Sequence, residues 1–120
     1  MAGNTQGLPP SAAVVAAGVD HVRLLYAYLD AGEPDGYASL LHEDIHIRGV
    51  GGRAVRGREE AIRMLHAHSK GAHEVRTVMS EDGTVTVTGR YTDAAGTVEF
   101  ADVFTLSEFG LIHSQRRTRA

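Results

Sequence analysis

Residues 97–117 read TVEFADVFTLSEFGLIHSQRR, which is two runs of β-forming residues around a short turn at Glu108, Phe109 and Gly110. In the first run Phe100, Asp102 and Phe104 repeat with a period of two, so the Asp102 carboxylate should point where the aromatic rings point. A carboxylate on an apolar face is costly unless it is paired or protonated. The stretch therefore predicts a hairpin whose inner face carries either a functional or a hydrogen-bonded structural carboxylate.

The preceding part of the chain also predicts strands. Val75, Thr77 and Met79 alternate with polar residues, and a turn signal at Asp82 and Gly83 leads into a β-rich run over residues 84–91. Near the end of that run, one of Arg90 and Tyr91 must face inward and the other outward. The order of the two is left open by the sequence, and an inward Tyr91 would be either a hydroxyl donor or a core aromatic.

The first half of the chain predicts three helices and one early strand. The first helix begins near Val19 and has its apolar positions at Val22, Leu25, Tyr26 and Leu29, and the short second helix covers residues 35–41 with Tyr37, Leu40 and Leu41 inward. The early strand contains Ile45 and Ile47. The third helix begins at Gly57, ends at Lys70 and Gly71, and has its apolar positions at Ala61, Ile62 and Leu65. A glycine loop at Gly49, Gly51 and Gly52 separates the strand from the third helix. Helices followed by an antiparallel meander predict an α+β fold, with helices on the concave face of a curved sheet.

Length and composition favour one domain. The chain has 120 residues, which we divide into a flexible lead over 1–18 and a single domain over 19–120. A net charge of −3 gives no indication of general nucleic-acid binding. We interpret the basic cluster of Arg116, Arg117 and Arg119 first as a solvated chain segment and second as an anion contact.

The absence of cysteine excludes thiolate chemistry and fits a cytoplasmic protein. The apolar stretch over 12–17 is short, so neither a signal peptide nor a membrane span is expected.

Histidines supply the second group of candidate residues. His66 follows Ile62 by one helical turn, so it should share the inward face of the third helix and could meet Asp102. Such a pair would be either a poised acid–base couple or a buried structural pair. The other histidines, which include His42, His46, His68 and His73, match no known metal-ligand spacing. We therefore expect neither a metal nor a cofactor.

Three segments carry a family resemblance. These are AYLDAGEPDGYASLLHEDIHI at 27–47, GREEAI at 57–62 and FADVFTLSEFGLIHSQRR at 100–117. Over about residues 19–117 the chain resembles the NTF2-like superfamily, and within it most closely the SnoaL-like polyketide cyclases and the ketosteroid isomerase group. The resemblance implies a cone-shaped α+β domain with a small-molecule pocket, and a homodimer formed through the outer sheet face, which carries Thr84, Thr86 and Thr88.

The resemblance also assigns positions. It places Asp102 in the pocket, His66 at a pocket aromatic position, and His113 and Gln115 at polar positions of the last strand. The isomerases' base would fall near Gly49 and is absent, and their oxyanion tyrosine would fall near Leu25, one place before Tyr26.

These observations give two functional hypotheses. The first is a cofactor-independent acid–base enzyme, a cyclase, isomerase or dehydratase, acting on a small apolar oxygenated metabolite, polyketide-like, in secondary metabolism. Its catalytic residues would be Asp102 and His66, and its substrate-binding residues would be Tyr26, Tyr91, His113, Gln115, Phe104 and Leu65. The second is a non-catalytic module that binds a ligand or a partner protein. An open cavity reaching Asp102 would favour the enzyme, and a cone filled by apolar side chains would favour the module.

Overall fold

The computed structural model describes residues 11–67 and 71–119, which form one α+β domain. Its elements in chain order are helices α1 (Ala12–Ala31) and α2 (Pro34–Ser39), strands β1 (Leu41–Val50) and β2 (Arg53–Arg56), helix α3 (Gly57–Ala67), and strands β3 (Ala72–Glu81), β4 (Thr84–Asp93), β5 (Gly96–Leu106) and β6 (Ile112–Arg119). The three predicted helices and the predicted β-rich second half are confirmed. Lys70, the predicted end of the third helix, lies outside the described residues.

The six strands form one sheet in the order β2-β1-β6-β5-β4-β3. The hairpin that the sequence predicts, β5 with β6, is antiparallel, and so are the pairs β3–β4, β4–β5 and β1–β2. The pair β1–β6 is parallel, with Ile47 opposite Gln115. This parallel contact joins the early strand to the late meander and makes one continuous curved surface.

Helix α1 begins at Ala12, well before the predicted start near Val19. Ser11 caps it by accepting a hydrogen bond from the Val14 amide at 3.2 Å, which satisfies an amide that the helix itself leaves free. Gly18 does not interrupt the helix, and a Cβ there would overlap the end of the Leu106 side chain, so glycine lets α1 and Leu106 pack closely. Of the predicted flexible lead, residues 1–10 lie outside the described residues.

Helix α1 is long and apolar enough to cross a membrane by length and composition, with a mean hydropathy of 1.3. The apolar stretch over 12–17, on which the sequence prediction rests, is shorter than this helix. In this fold Val22, Leu25 and Tyr26 of α1 are buried in the protein core. These residues belong to the smaller, inward part of the helix, since 22% of its most apolar 18-residue window is buried in this fold.

The glycine-rich loop differs from its prediction. Gly49 belongs to β1, Gly51 and Gly52 form a tight turn, and the short strand β2 follows where the sequence had suggested loop. Gly49 adopts a left-handed φ of +81°, and a Cβ at this position would overlap the backbone carbonyl oxygen of Arg117. Glycine is thus required at the point where β1 approaches β6.

The core fills the concave side of the sheet. Its largest fully buried side chains are Tyr37, Phe100, Phe104, Leu25, Leu41, Ile45, Ile47 and Ile112. Asp102 and Gln115 are buried with them, at 0 % and 2 % exposure. The inner side of the sheet around Asp102 is therefore filled by side chains, and two polar groups are enclosed within an apolar core.

Candidate functional site

Asp102 lies where its alternation predicted. It is fully buried between Phe100 and Phe104 on the inner face of β5, whereas Val103 on the outer face is half-buried. In the β5–β6 hairpin it is directly opposite Arg117. The sequence therefore located the carboxylate correctly but missed its partner.

Four hydrogen bonds surround the Asp102 carboxylate. Arg117 donates from Nε to Oδ1 at 2.8 Å and from Nη2 to Oδ2 at 2.9 Å, which is the bidentate geometry of strong arginine–carboxylate pairs. Tyr26 donates its hydroxyl to Oδ2 at 2.7 Å, and Gln115 donates Nε2 to Oδ2 at 3.2 Å. In all four bonds the partner side chain is the donor, so the carboxylate acts as a fixed acceptor.

Tyr26 is a neutral donor in this arrangement. Burial and the neighbouring Asp102 carboxylate raise the pKa of the Tyr26 hydroxyl far above its usual value. Its ring also packs against Phe104 in an edge-to-face geometry, with centroids 6.1 Å apart. Tyr26 and Phe104, which were predicted to bind substrate, therefore hold the buried cluster together.

The predicted pairing of His66 with Asp102 is wrong. His66 is exposed, and the described side chains that donate to Asp102 are Arg117, Tyr26 and Gln115. Helix α3 buries Ala61 and Leu65, and Ile62 lies at the edge of this stripe. A residue one turn after Ile62 therefore turns toward solvent.

The predicted inward position of His113 is also wrong. In the β5–β6 register Leu106 pairs with Ile112 and Thr105 with Ser114, so His113 is the extra residue of a β-bulge. The bulge interrupts the alternation and leaves His113 exposed, with its ring 4.6 Å from the ring of His42. Gln115, two residues later, faces the core as predicted.

The open question on β4 is resolved in favour of Tyr91. Tyr91 is 7 % exposed, while Arg90 is exposed and lies 3.8 Å from Glu74 on the outside of the sheet. Leu65, another predicted substrate contact, is buried on α3. Tyr91 alone of the predicted binding residues reaches the cavity described below.

Arg117 is the principal residue that the sequence analysis misread. Its side chain is 15 % exposed and lies over the Phe100 ring, 4.4 Å from its centroid. Burial by itself would lower the pKa of Arg117, but the hydrogen bonds and charge of Asp102 outweigh it and raise the pKa. The sequence did contain a signal for this pairing. Asp102 and Arg117 lie the same number of residues before and after the turn at Phe109 and Gly110, so a regular hairpin places them opposite each other.

His73 is the second missed residue. Its backbone amide donates to Asp30 at 2.8 Å, and its Nδ1 lies 2.6 Å from the other oxygen of the same carboxylate. Its Nε2 lies 3.3 Å from Nη2 of Arg117, and its ring is 4.7 Å from that of Tyr91. The polar cluster therefore runs from Asp30 through His73 and Arg117 to Asp102.

An open cavity of about 530 Å³ lies beside Tyr91 and Arg117, and we call it the mouth cavity. It is lined by Val50, Gly51, Arg53, Met64, Ala67, Tyr91, Asp93, Val98 and Arg117. Its size falls in the range of small-molecule sites, and its walls combine aliphatic side chains with a few polar groups. Asp102 is sealed beneath Arg117, so the carboxylate at the cavity surface belongs to Asp93.

Asp93 occupies the inner face at the end of β4, two residues after Tyr91. Its Oδ1 accepts a hydrogen bond from the Ala95 amide at 2.8 Å, which fixes the carboxylate at the turn into β5. The alternation through Val85, Val87 and Tyr91 could have indicated that Asp93 faces inward. Its position next to a turn suggested instead that it belongs to a loop. Among the described residues no group of three or more His, Asp or Glu side chains is placed to hold a metal ion.

Comparison with known proteins agrees with this architecture. A family model described as a SnoaL-like domain matches residues 22–115. No curated protein matches the chain by sequence.

Several solved structures share the fold. A proposed ketosteroid isomerase from Kribbella flavida superposes with a TM-score of 0.78 at 14% identity, covering 88% of this chain and 79% of that chain. A proposed polyketide cyclase from Sinorhizobium meliloti gives 0.75 at 14% identity, covering 82% and 94%. An NTF2-like protein of unknown function from Cytophaga hutchinsonii gives 0.75 at 17% identity, covering 86% and 89%. At these identities the likeness establishes the NTF2-like fold.

Proposed function

Because the chain belongs to the SnoaL-like domain family, we propose that it is a cofactor-independent acid–base enzyme acting on a small, largely apolar, oxygenated metabolite in the mouth cavity. The reaction would be a cyclisation, isomerisation or dehydration. The names of the structural neighbours, which include a proposed ketosteroid isomerase and a proposed polyketide cyclase, support a polyketide-like substrate in secondary metabolism.

The observation that carries this proposal is the placement of Arg117. Its Nε and Nη2 are held by Asp102 and His73, while the side chain also lines the mouth cavity. Within the described residues Nη1 makes no hydrogen bond, so two N–H donors remain for a ligand oxygen. A fixed cationic donor next to a carbonyl oxygen stabilises the negative charge that grows there when an enolate forms.

Asp93 and Tyr91 supply the remaining groups. The Asp93 carboxylate would accept the proton released next to the carbonyl, and the Tyr91 hydroxyl would bind a second oxygen. Val50, Met64 and Val98 would pack against the apolar body of the substrate. In this scheme Asp102 positions Arg117 and has no direct part in proton transfer, which changes the role that the sequence predicted for it.

Solvent exchange of a simple ketone tests the proposal. We expect the protein to accelerate exchange of the α-hydrogens of 2-tetralone in D₂O, followed by ¹H NMR. Asp93→Asn should slow this exchange by about 10²-fold or more, because it removes the general base and keeps the shape of the side chain. The control is Asp44→Asn, which alters an exposed carboxylate on β1 away from the mouth cavity. Equal rates for Asp93→Asn and the wild type would contradict the assignment of Asp93.

A second candidate function is favoured by the state of Asp102. The family resemblance places this carboxylate in the pocket, yet here it is fully buried and saturated with donors. A non-catalytic module that binds a ligand through Arg117 would need no exposed acid or base. Binding of 2-tetralone, detected by shifts of the Tyr91 and Arg117 resonances, without accelerated exchange would support this function over the enzyme.

We further propose that the protein is a cytoplasmic homodimer that associates through the outer sheet face. On this face Thr77 and Thr88 are hydrogen-bonded across β3 and β4, Thr86 and Val103 are half-buried, and Met79 is 68 % exposed. These short and apolar side chains, which share the face with the charged pair Arg90 and Glu74, form a patch that can pack against a symmetric copy.

Light scattering tests the dimer. At tens of micromolar the wild type should show twice the chain mass of 12.8 kDa, and Thr86→Lys should shift the protein to the chain mass, because it places a charge in the centre of the face. A monomeric wild type under these conditions would refute the proposal.

A further inference from the structure

His73 lies between the two halves of the polar cluster. It is on β3, one of the two edge strands of the sheet, and its side chain is only 1 % exposed. It contacts Asp30 and Tyr26 of α1, Tyr91 of β4 and Arg117 of β6. Neither the sequence resemblance nor the proposed reaction assigns a role to it.

The partners of His73 fix its tautomer. Asp30 presents a carboxylate oxygen to Nδ1, and a carboxylate only accepts, so Nδ1 carries the proton. Arg117 presents Nη2 to Nε2, and a guanidinium only donates, so Nε2 has a free electron pair that accepts this hydrogen bond. The imidazole is therefore neutral, with its donor toward α1 and its acceptor toward the guanidinium.

We propose that His73, oriented by Asp30, is a positioning residue that holds Arg117 toward the mouth cavity only while the imidazole is neutral, so that acid weakens ligand binding there. The proposal rests on the proposed role of Arg117 as the group that binds the ligand oxygen. Asp102 fixes one edge of the guanidinium and His73 a second, which leaves Nη1 directed away from both.

Protonation would reverse the contact with Arg117. Nε2–H would then face Nη2–H, and two cations would lie within hydrogen-bond distance of each other. Among the described residues, the carboxylates of Asp30 and Asp102 favour the imidazolium and the Arg117 guanidinium opposes it. The Tyr26 side chain, whose hydroxyl pKa is raised by burial and by Asp102, also lies against the ring and stays neutral.

The resulting pH dependence has a definite sign. Burial lowers the pKa of His73 below its usual 6.5, although the hydrogen bond to Asp30 opposes the shift. The unfolded chain therefore takes up the proton first as the pH falls, so the free energy of unfolding decreases below about 6.5. The ligand site should fail at lower pH, when the folded protein itself binds the proton.

The experiment compares the wild type with His73→Gln and His73→Leu. Glutamine can place its Oε1 near the position of Nε2 and so keeps an acceptor for Arg117 without titrating, whereas leucine removes the acceptor. With 2-tetralone as the probe, wild-type affinity should fall as the pH is lowered from 8 through the pKa of His73, and the complete loss should be about tenfold, the size expected for losing one charge-assisted hydrogen bond. His73→Gln should bind with an affinity that is independent of pH, and His73→Leu should bind weakly throughout. Affinities that fall equally with pH in the wild type and in His73→Gln would overturn the proposal.

A second measurement needs no ligand. In ¹⁵N NMR spectra His73 should show the Nδ1–H tautomer at pH 8, and the side-chain resonances of Arg117 should shift with the same midpoint as the His73 ring. An Nε2–H tautomer, or Arg117 resonances that do not follow His73, would overturn the inference even if 2-tetralone binds. If the wild type does not bind 2-tetralone but the two sets of resonances titrate together, the coupling stands and the proposed role of Arg117 in binding this ligand fails.

Discussion

Arg117→Met should lower the free energy of unfolding by about 3–5 kcal/mol, because it leaves a fully buried carboxylate without its ionic partner. Methionine can retain the packing of the side-chain stem over Phe100 while removing the charge and the donors. Urea denaturation followed by circular dichroism measures the change. The control is Arg116→Met, which removes an exposed arginine from the outer face of the same strand and should change stability by less than about 0.5 kcal/mol.

The double variant isolates the cause. Adding Asp102→Asn to Arg117→Met removes the unpaired charge, so the double variant should be more stable than Arg117→Met alone by about 1–3 kcal/mol. Asp102→Asn by itself should be destabilising, because it leaves an amide facing the guanidinium. Strictly additive effects of the two substitutions would show that the pair is not coupled and would contradict this account of the core.

Gly49→Ala should destabilise the protein by about 2–5 kcal/mol, since it combines a left-handed backbone conformation with overpacking against a neighbouring strand. The new Cβ would meet the Arg117 carbonyl oxygen, and neither backbone can move without disturbing the parallel β1–β6 pairing. Thermal unfolding of purified protein measures the loss.

Gly51→Ala provides the matched control for Gly49→Ala. Gly51 has a similar left-handed φ of +65°, but a Cβ there would meet nothing within 4 Å. It should therefore cost only the conformational strain, about 1–2 kcal/mol. Equal losses for the two variants would mean that the contact with β6 contributes nothing.

Local patterns predicted the parts of the fold that repeat regularly. The alternation of Phe100, Asp102 and Phe104 fixed the inner face of β5, and the apolar positions Val22 and Leu25 identified the inner face of α1. The family resemblance predicted the cone shape of the domain. These features depend on residues that are only a few positions apart in the sequence, which is the range over which sequence periodicity is informative.

The errors arose where the geometry departs from a regular repeat. The bulge at His113 inserts one residue into β6, and nothing in the sequence alone sets its position. Helix α3 is short, so the centre of its buried stripe could not be separated from its edge at Ile62, and His66 was placed inward. Strand β2 is only four residues long and carries two arginines, so it shows no apolar alternation from which a strand could be predicted.

Partners distant in sequence were the hardest to predict. Asp30 and His73 belong to a helix and a strand that meet only in the folded domain, so no spacing rule connects them. Arg117 is different, because its position across the hairpin from Asp102 follows from counting outward from the turn. A polar residue predicted on an apolar strand face should therefore be checked first against the residue opposite it in the adjoining hairpin.

The strand order has a consequence for how the domain assembles during synthesis. Strand β6 is the last element in chain order, yet it lies in the middle of the sheet, between β1 and β5. Until β6 leaves the ribosome, the β1–β2 hairpin and the β3–β4–β5 meander have no strand to join them. Pairing β6 with β1 closes a long loop, a step with a high entropic cost that slows folding. Until then the nascent chain exposes the two strand edges that β6 later covers, one on β1 and one on β5. Unpaired edges of this kind make this stage the most susceptible to aggregation.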